Sequence, residues 1–149
     1  DCFSQIRATH NFRVKVADIW DGSEGCDWHN DSIEGGQFVA LVYLSDHDVW
    51  DKDLGGHFQY GKVPYREGDG YFIDYSGRAN EISVNGTVYP SSGSIVVINN
   101  HNHFMTHRCF KLKSSTERRV TLTIGFDIEV KTDFSSDTVV FWPNDIFVS

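Results

Sequence analysis

The sequence predicts an all-β fold with little helix, and three observations lead to that prediction. Several short segments alternate apolar and polar residues with the two-residue period of a half-buried strand. Turn-forming residues separate these segments, and no segment carries a sustained run of apolar residues at helical spacing. Repeated strands joined by turns favour a β-sandwich or a barrel-like jelly roll. The 149 residues are the size of one domain, so we expect a single domain over 1–149.

The strands are predicted in order along the chain. Residues 11–20 alternate apolar and polar positions, and residues 37–45 form a continuous apolar run that is typical of a strand covered on both faces. Asn85-Gly86 lies between two alternating arms and predicts a β-hairpin within 81–90. The longer connection 61–92, which contains this hairpin, is either a lid over a substrate or an insertion without a role. Further strands are predicted at 94–99, 103–112, 118–128 and 138–142.

The charge and hydropathy of the chain exclude some classes of partner. The formal net charge is −8, from 13 basic and 21 acidic residues, whereas a nucleic-acid-binding surface needs clustered basic residues. No apolar run has the length of a bilayer span, and no signal-peptide pattern opens the sequence. We therefore expect a soluble protein with no membrane partner and no strong tendency to bind nucleic acid.

The cysteines bear on the cellular compartment, and the first residue bears on whether a segment precedes it. Cys2, Cys26 and Cys109 are too few and too far apart for a disulfide framework, and they lack the C-x-x-C spacing of a structural zinc site. A reducing compartment, and hence the cytoplasm, is favoured. Because the chain begins with Asp1 rather than methionine, we expect that an N-terminal segment is missing from it.

Two of the predicted strands place polar residues on a face that could be interior. On 118–128, Arg119 and Thr121 share one face, while the opposite face is wholly apolar. On 103–109, His103 and His107 share a face with Cys109. If these strands are neighbours in one closed sheet, the interior carries a histidine, an arginine and a threonine. Burying such groups without partners costs several kcal/mol, so this interior is expected to bind an anion or a metal.

The sequence His29-x-Asp31 offers two side chains from one strand end, because residues i and i+2 of an extended segment project the same way. Two histidines and one carboxylate, with open positions on one side, suit non-haem Fe(II). The third ligand must then be a distant histidine, and the candidates are His101, His103 and His107.

The order of motifs along the chain points to a family. A strand and a Gly-rich turn lead into H-x-D in "VADIWDGSEGCDWHND", and a Y-L-S-D strand end and a Gly-Gly turn follow in "VYLSDHDVWDKDLGGHFQY". A Gly-led strand then reaches a second histidine in "SGSIVVINNHNHFMTHRC", and a basic residue heads the strand "ERRVTLTIGFD". This order resembles the Fe(II)/2-oxoglutarate-dependent dioxygenases, specifically the prolyl-4-hydroxylase-like branch, over about residues 12 to 128.

The resemblance implies a fold, a reaction and a set of residues. The fold is a double-stranded β-helix, another name for this jelly roll, although the supporting N-terminal helices usual in the branch are absent from the sequence. The reaction uses Fe(II), 2-oxoglutarate and O2, with ascorbate as an accessory reductant, to hydroxylate an unactivated C–H bond. The substrate class that it implies is a peptidyl proline or another protein side chain, with a small molecule as the other option.

Residue by residue, the resemblance assigns the metal ligands and the contacts to 2-oxoglutarate. His29, Asp31 and His107 correspond to the iron ligands, with His103 as the other candidate for the distal histidine. Arg119 corresponds to the partner of the distal carboxylate of 2-oxoglutarate, and Tyr43 and Thr121 to the hydroxyls that assist it. No catalytic side chain is implied beyond the metal ligands. Trp20 stands where the family often has a tyrosine, which is a departure from the pattern.

The two cysteines in these segments are expected to lie near the iron. Cys26 comes three residues before His29, and Cys109 comes two residues after His107. A free buried cysteine usually acts as a small apolar filler, so we predict no catalytic role for either.

Two other functions remain open from the residues alone. In the first, a cupin-like metal-binding module holds its metal through His101, His103 and His107, although the acidic residue expected a few positions later is missing. In the second, a jelly-roll domain without metal serves a structural or recognition role.

Overall fold

A computed structural model of the chain describes residues 10–31, 34, 36–64, 66–69, 73–100, 105–113, 117–130 and 146–148. Within these ranges the chain forms nine strands, together with short 3-10 helices at Lys52–Leu54 and Ser76–Glu81. No helix in the described ranges has the length and apolar character needed to cross a membrane. The strands are β1 (His10–Gly22), β2 (Cys26–His29), β3 (Phe38–Tyr43), β4 (Phe58–Lys62), β5 (Ser83–Val88), β6 (Ile95–Asn99), β7 (Met105–Cys109), β8 (Arg119–Val130) and β9 (Ile146–Val148).

These strands form two antiparallel sheets. One sheet has the order β1-β8-β3-β6-β9, and the other has the order β2-β7-β4-β5. Every pairing between the named strands is antiparallel. The prediction of an all-β core with little helix is therefore confirmed.

The main core lies between the two sheets, because both sheets contribute to one buried apolar cluster. The first sheet supplies residues from β3 and β6, and the second sheet supplies residues from β4 and β5. The buried members of this cluster are Val39, Tyr43, Phe58, Val88, Val96 and Ile98. Cys109, from β7, packs against the same cluster. Inward-facing side chains of β7 and β3 therefore lie close to each other across the interior.

The predicted hairpin at Asn85-Gly86 is wrong, since both residues lie inside β5. This strand pairs with β4, and Gly86 stands opposite Tyr60. A Cβ atom on Gly86 would lie 2.6 Å from the Tyr60 hydroxyl oxygen, so the glycine makes room for a ring on the neighbouring strand. The strand predicted at 138–142 falls outside the described residues.

The condition considered for a polar interior, that β7 and β8 are neighbours in one sheet, is not met. The two strands belong to different sheets, with β8 between β1 and β3 and β7 between β2 and β4. Polar residues that the sequence indicated are nevertheless buried on both strands, namely His107 on β7 and Arg119 and Thr121 on β8. The polar interior is thus formed between two sheets and not along one.

Gly25 lets the start of β2 approach β7, and we expect Gly25→Ala to destabilise the fold. A Cβ atom at this position would lie 2.6 Å from the Cys109 carbonyl oxygen and 2.6 Å from the Lys111 nitrogen. Both are backbone atoms, so relief requires movement of a strand, and overpacking of this kind costs about 1–3 kcal/mol. The free energy of unfolding, measured by urea denaturation, should fall by that amount.

Gly77→Ala is the matched control for this substitution. A Cβ atom on Gly77 meets nothing within 4 Å, so its effect on the unfolding free energy should stay within about 0.5 kcal/mol. Equal denaturation midpoints for the two variants would contradict the close approach of β2 to β7 at Gly25.

Candidate metal centre

His29 and His107 face each other across the β2–β7 pair. They are register partners in the antiparallel ladder, and the centroids of their rings are 4.4 Å apart. Asp31 lies two residues beyond His29, just after β2 ends, and its two carboxylate oxygens reach one histidine each. The Asp31 Oδ1 atom is 3.6 Å from His29 Nε2, and Oδ2 is 3.6 Å from His107 Nε2.

These three side chains therefore converge on one point. One ligand atom from each residue lies within 4.8 Å of the ligand atoms of the other two. In the part of the chain that the structure describes, this is the one group of three or more His, Cys, Asp or Glu side chains arranged so that it could hold a metal ion. We refer to His29, Asp31 and His107 as the triad.

The triad is more exposed at His29 and Asp31 than at His107. The His107 side chain is 7% exposed, whereas the side chains of His29 and Asp31 are 27% and 29% exposed. On the His107 side, the Phe58 ring stacks against the His107 ring with centroids 5.3 Å apart. A metal bound here would be enclosed from the interior and reachable from solvent past His29 and Asp31.

Backbone contacts fix the orientation of His29. Its Nδ1 lies 2.7 Å from the carbonyl oxygen of Asp27, so Nδ1–H is the donor in this pair. The opposite nitrogen, Nε2, is then the atom that faces Asp31 and is the one available as a ligand. Thr106 also donates its hydroxyl to the His29 carbonyl oxygen at 2.8 Å. Contacts of this kind orient a ligating imidazole and usually matter to metal affinity.

The pKa values of the two histidines are shifted in opposite directions by their surroundings. Burial lowers the pKa of His107 to about 4, because the charge of Asp31 compensates only part of the lost hydration. Burial also acts to lower the pKa of His29, but its hydrogen bonds to Asp31, to Cys26 and to the Asp27 carbonyl outweigh it and raise the pKa to about 10. Despite its own burial, the pKa of Asp31 is lowered by its hydrogen bond to His29 and by the charges of His107 and His29.

These directions describe a metal-free site in which the charges of His29 and Asp31 balance near pH 7. His107 is neutral near pH 7 and can offer its lone pair directly, and Asp31 is ionised. His29 holds a proton in the metal-free protein, so a metal ion would displace that proton on binding.

Arg119 is buried, and backbone carbonyl groups surround its guanidinium. The residue is 1% exposed. Nη1 donates to the carbonyl oxygens of Gly56 at 2.6 Å and Phe110 at 3.1 Å, and Nη2 donates to that of Glu24 at 2.8 Å. Among the described residues these bonds use three of the five N–H donors of the side chain. The remaining donors leave capacity for a further acceptor.

Tyr43 carries a buried hydroxyl group that has no hydrogen-bond partner among the described residues. The residue is 1% exposed and stands opposite Thr121 in the β3–β8 ladder. Burial, followed by the charge of Cys109, raises the pKa of Tyr43 and outweighs the opposing charge of Arg119, so the phenol stays protonated. A buried hydroxyl without a partner costs about 1–3 kcal/mol, which makes it a natural position for a ligand acceptor.

The triad and the Arg119 region share one interior. Cys109 follows His107 by two residues on β7 and packs against the core cluster that contains Tyr43, and Tyr43 stands opposite Thr121, two residues after Arg119 on β8. The structure therefore brings the six residues singled out by the sequence, namely His29, Asp31, Tyr43, His107, Arg119 and Thr121, into the space between the sheets or to its edge.

Other sequence candidates are placed differently. His101 and His103 lie outside the described residues, so the cupin-like ligand set has no described geometry beyond His107. His47 pairs with Glu117 at 2.9 Å and is not part of the triad. Trp20, the departure from the family pattern, lies over the Arg119 guanidinium at 4.6 Å from the ring centroid.

The supporting contacts of the site were not predicted, and Trp20 was noted only as a departure from the family pattern. The Asp27 carbonyl, the Thr106 hydroxyl and the ring of Trp20 act through tertiary contacts with His29 and Arg119. The only local signal is the alternation on β7, which could have placed Thr106 towards the face opposite His107 but not next to the His29 backbone.

Comparison with protein-family models finds no match for this chain, and comparison with curated proteins finds no significant match. The function is therefore inferred from the geometry of the site and the order of its motifs.

Proposed function

We propose that this protein is an Fe(II)- and 2-oxoglutarate-dependent dioxygenase that hydroxylates an unactivated C–H bond. The triad is the observation that carries the proposal, because two imidazoles and one carboxylate converge with their ligand atoms within 4.8 Å. Two histidines and a carboxylate on one side of a metal leave positions open for other ligands, which is the arrangement typical of non-haem Fe(II) oxygenases.

The order of the strands supports the fold expected of such an enzyme. From β1 to β4 the chain alternates between the five-stranded and the four-stranded sheet at each step. Winding of this kind between two opposed antiparallel sheets favours the double-stranded β-helix, or jelly roll. In this arrangement His29 and His107 lie on adjacent strands of one sheet, and Arg119 reaches the interior from the other.

The groups around Arg119 fit a dicarboxylate co-substrate. Arg119 has donor capacity beyond its three carbonyl bonds, and the Tyr43 hydroxyl has no described partner. A carboxylate that accepts from both would satisfy the buried phenol and use the planar fork of the guanidinium. Thr121, which is buried on the same face of β8 as Arg119, would assist as a third hydroxyl contact.

The six residues then form two groups with different tasks. His29, Asp31 and His107 hold the metal, and Arg119, Tyr43 and Thr121 orient 2-oxoglutarate through its distal carboxylate. When bound, Fe(II) and 2-oxoglutarate supply the oxidising chemistry and consume O2. The buried wall formed by Phe58 and His107 excludes water from the interior side, while the more exposed side of the triad admits the substrate.

The substrate class that we propose is a peptidyl proline or another protein side chain. The order of the motifs, which resembles the prolyl-4-hydroxylase-like branch, supports this choice by analogy. The net charge of −8 is compatible with a basic or neutral peptide.

The first test is an anaerobic titration with Fe(II) and 2-oxoglutarate. The chelate should give a weak visible charge-transfer band, and aerobic incubation with a panel of proline-containing peptides should then produce succinate. Absence of both the band and succinate in folded protein that binds Fe(II) would overturn the proposed function.

Tyr43→Phe provides a sharper test of the 2-oxoglutarate contact. Removing a buried hydroxyl that has no described partner should leave the unfolding free energy unchanged or raise it, since no hydrogen bond to that group is lost. Affinity for 2-oxoglutarate, measured from the same band, should fall by about tenfold, which corresponds to the loss of about one hydrogen bond to a charged group.

Ser45→Ala is the matched control for Tyr43→Phe. Ser45 is also buried with an unpartnered hydroxyl, but it lines a separate cavity with Asp46, His47 and Glu117. This variant should show the same small effect on stability and no effect on 2-oxoglutarate affinity. If Tyr43→Phe and the wild type had equal affinities for 2-oxoglutarate, Tyr43 would not contact the co-substrate.

A further inference from the structure

Cys26 and Cys109 stand directly opposite each other on β2 and β7. Facing residues of an antiparallel pair have Cα atoms about 4.5–5.5 Å apart. That separation lies inside the range of about 4.4–6.8 Å over which two cysteines can be bridged.

The two thiols differ in access to solvent. Cys26 is exposed, which corrects the expectation that it is a buried apolar filler. Cys109 is partly buried and packs against the main core. A cavity of about 270 Å³ has both cysteines in its wall, together with Asp27, Arg108, Phe110 and Lys111. A small reagent can therefore reach Cys26 first, with Cys109 positioned behind it.

This cysteine pair adjoins the triad. His29 and His107 are the next register partners after Cys26 and Cys109 along the same two strands. A covalent bond between the cysteines would tie β2 to β7 beside the two histidines.

We propose that Cys26 and Cys109 are a redox-modification site, at which thiol–disulfide exchange with a low-molecular-weight disulfide such as oxidised glutathione forms a reversible intramolecular disulfide. The Cys26 sulfur attacks one sulfur of oxidised glutathione, which breaks that S–S bond and releases one reduced glutathione. The Cys109 sulfur then attacks the Cys26 sulfur of the mixed disulfide and releases the second. The two thiol protons pass to the two glutathione molecules, so the protein loses two electrons and glutathione disulfide gains them.

The test is peptide mapping of the full chain after treatment with oxidised glutathione. Reduced protein is incubated with oxidised glutathione, remaining thiols are alkylated, and the digest is analysed by mass spectrometry without reductant. We expect one peptide pair linked through Cys26 and Cys109, lost again on treatment with dithiothreitol. Alkylation of both cysteines, a stable glutathione adduct in the wild type, or a linkage to Cys2 would each overturn the proposal.

Single variants separate the two steps. Cys109→Ser should stop at a mixed disulfide on Cys26, whereas Cys26→Ser should form neither the adduct nor the linkage. Cys2→Ser is the matched control and should retain the Cys26–Cys109 linkage. Because none of these measurements uses metal or 2-oxoglutarate, failure of the proposed hydroxylase function would leave their outcome unchanged.

Discussion

Asp31→Asn is expected to lower the affinity for Fe(II) by at least about 100-fold, since loss of even an outer contact to a ligand costs about 10–100-fold. The Asp31 carboxylate lies 3.6 Å from Nε2 of both histidines, so one substitution removes the anionic ligand of the triad. An amide has nearly the same shape, and packing should be preserved. Anaerobic isothermal titration with Fe(II), repeated with Co(II) as a spectroscopic probe, measures the change.

His47→Ala is the control, because His47 also pairs with a carboxylate at a similar exposure. Its Nε2 atom lies 2.9 Å from Glu117, but no third ligand joins this pair among the described residues. The variant should bind Fe(II) like the wild type. If His47→Ala lost as much Fe(II) affinity as Asp31→Asn, the metal would have to bind elsewhere. If Asp31→Asn bound Fe(II) with unchanged affinity, the triad would not be the metal site.

Local periodicity was enough to predict most of the longer strands. The alternation in 11–20 and the apolar run in 37–45 correspond to β1 and β3, and 118–128 corresponds to β8. Periodicity alone did not predict the four-residue β2 and the Gly-containing β4, because each is short and pairs with β7, a strand distant in sequence. Local sequence carries little information about such pairing.

The Asn85-Gly86 dipeptide is a second case in which local sequence does not reveal strand pairing. A glycine after an asparagine is a turn signal when both positions need positive φ, but Gly86 instead accommodates the Tyr60 ring. A glycine required by a turn and a glycine required by the side chain of a neighbouring strand look the same in a sequence. Only the neighbouring strand, more than twenty residues away, distinguishes them.

The site was more predictable than its surroundings. His29 and Asp31 are two residues apart, so their proximity follows from local geometry, whereas His107 was chosen from the order of motifs. Arg119 was predicted only in part. Its burial requires partners, as predicted, but three backbone carbonyls supply partners that no side-chain pattern reveals.

Arg119→Ala is expected to destabilise the protein severely. The substitution leaves the carbonyl oxygens of Glu24, Gly56 and Phe110 without their donor in a buried region, and each such group costs about 1–3 kcal/mol. A total of several kcal/mol is a large part of the roughly 5–15 kcal/mol by which a typical domain is stable. Urea denaturation should show a midpoint far below that of the wild type, or no folded baseline.

Arg118→Ala is the control at the adjacent position. The Arg118 side chain is 72% exposed and pairs with Asp21 at the surface, and such pairs contribute about 0–1 kcal/mol. Its denaturation midpoint should stay close to that of the wild type. If Arg119→Ala were as stable as Arg118→Ala, the carbonyl contacts would not be the reason that Arg119 is buried.

Because Arg119→Ala is expected to unfold, Arg119→Lys is the variant that separates the structural role of this residue from its proposed role with 2-oxoglutarate. A lysine keeps the charge, but it presents one compact ammonium where the guanidinium has a planar fork. It cannot reach three separated carbonyls and also donate twice to a carboxylate. The expected result is a protein that folds with a lowered denaturation midpoint, binds Fe(II) normally and loses the 2-oxoglutarate band. Retention of that band at wild-type affinity would leave Arg119 with a structural role alone, since its contacts to Glu24, Gly56 and Phe110 would then account for everything it does.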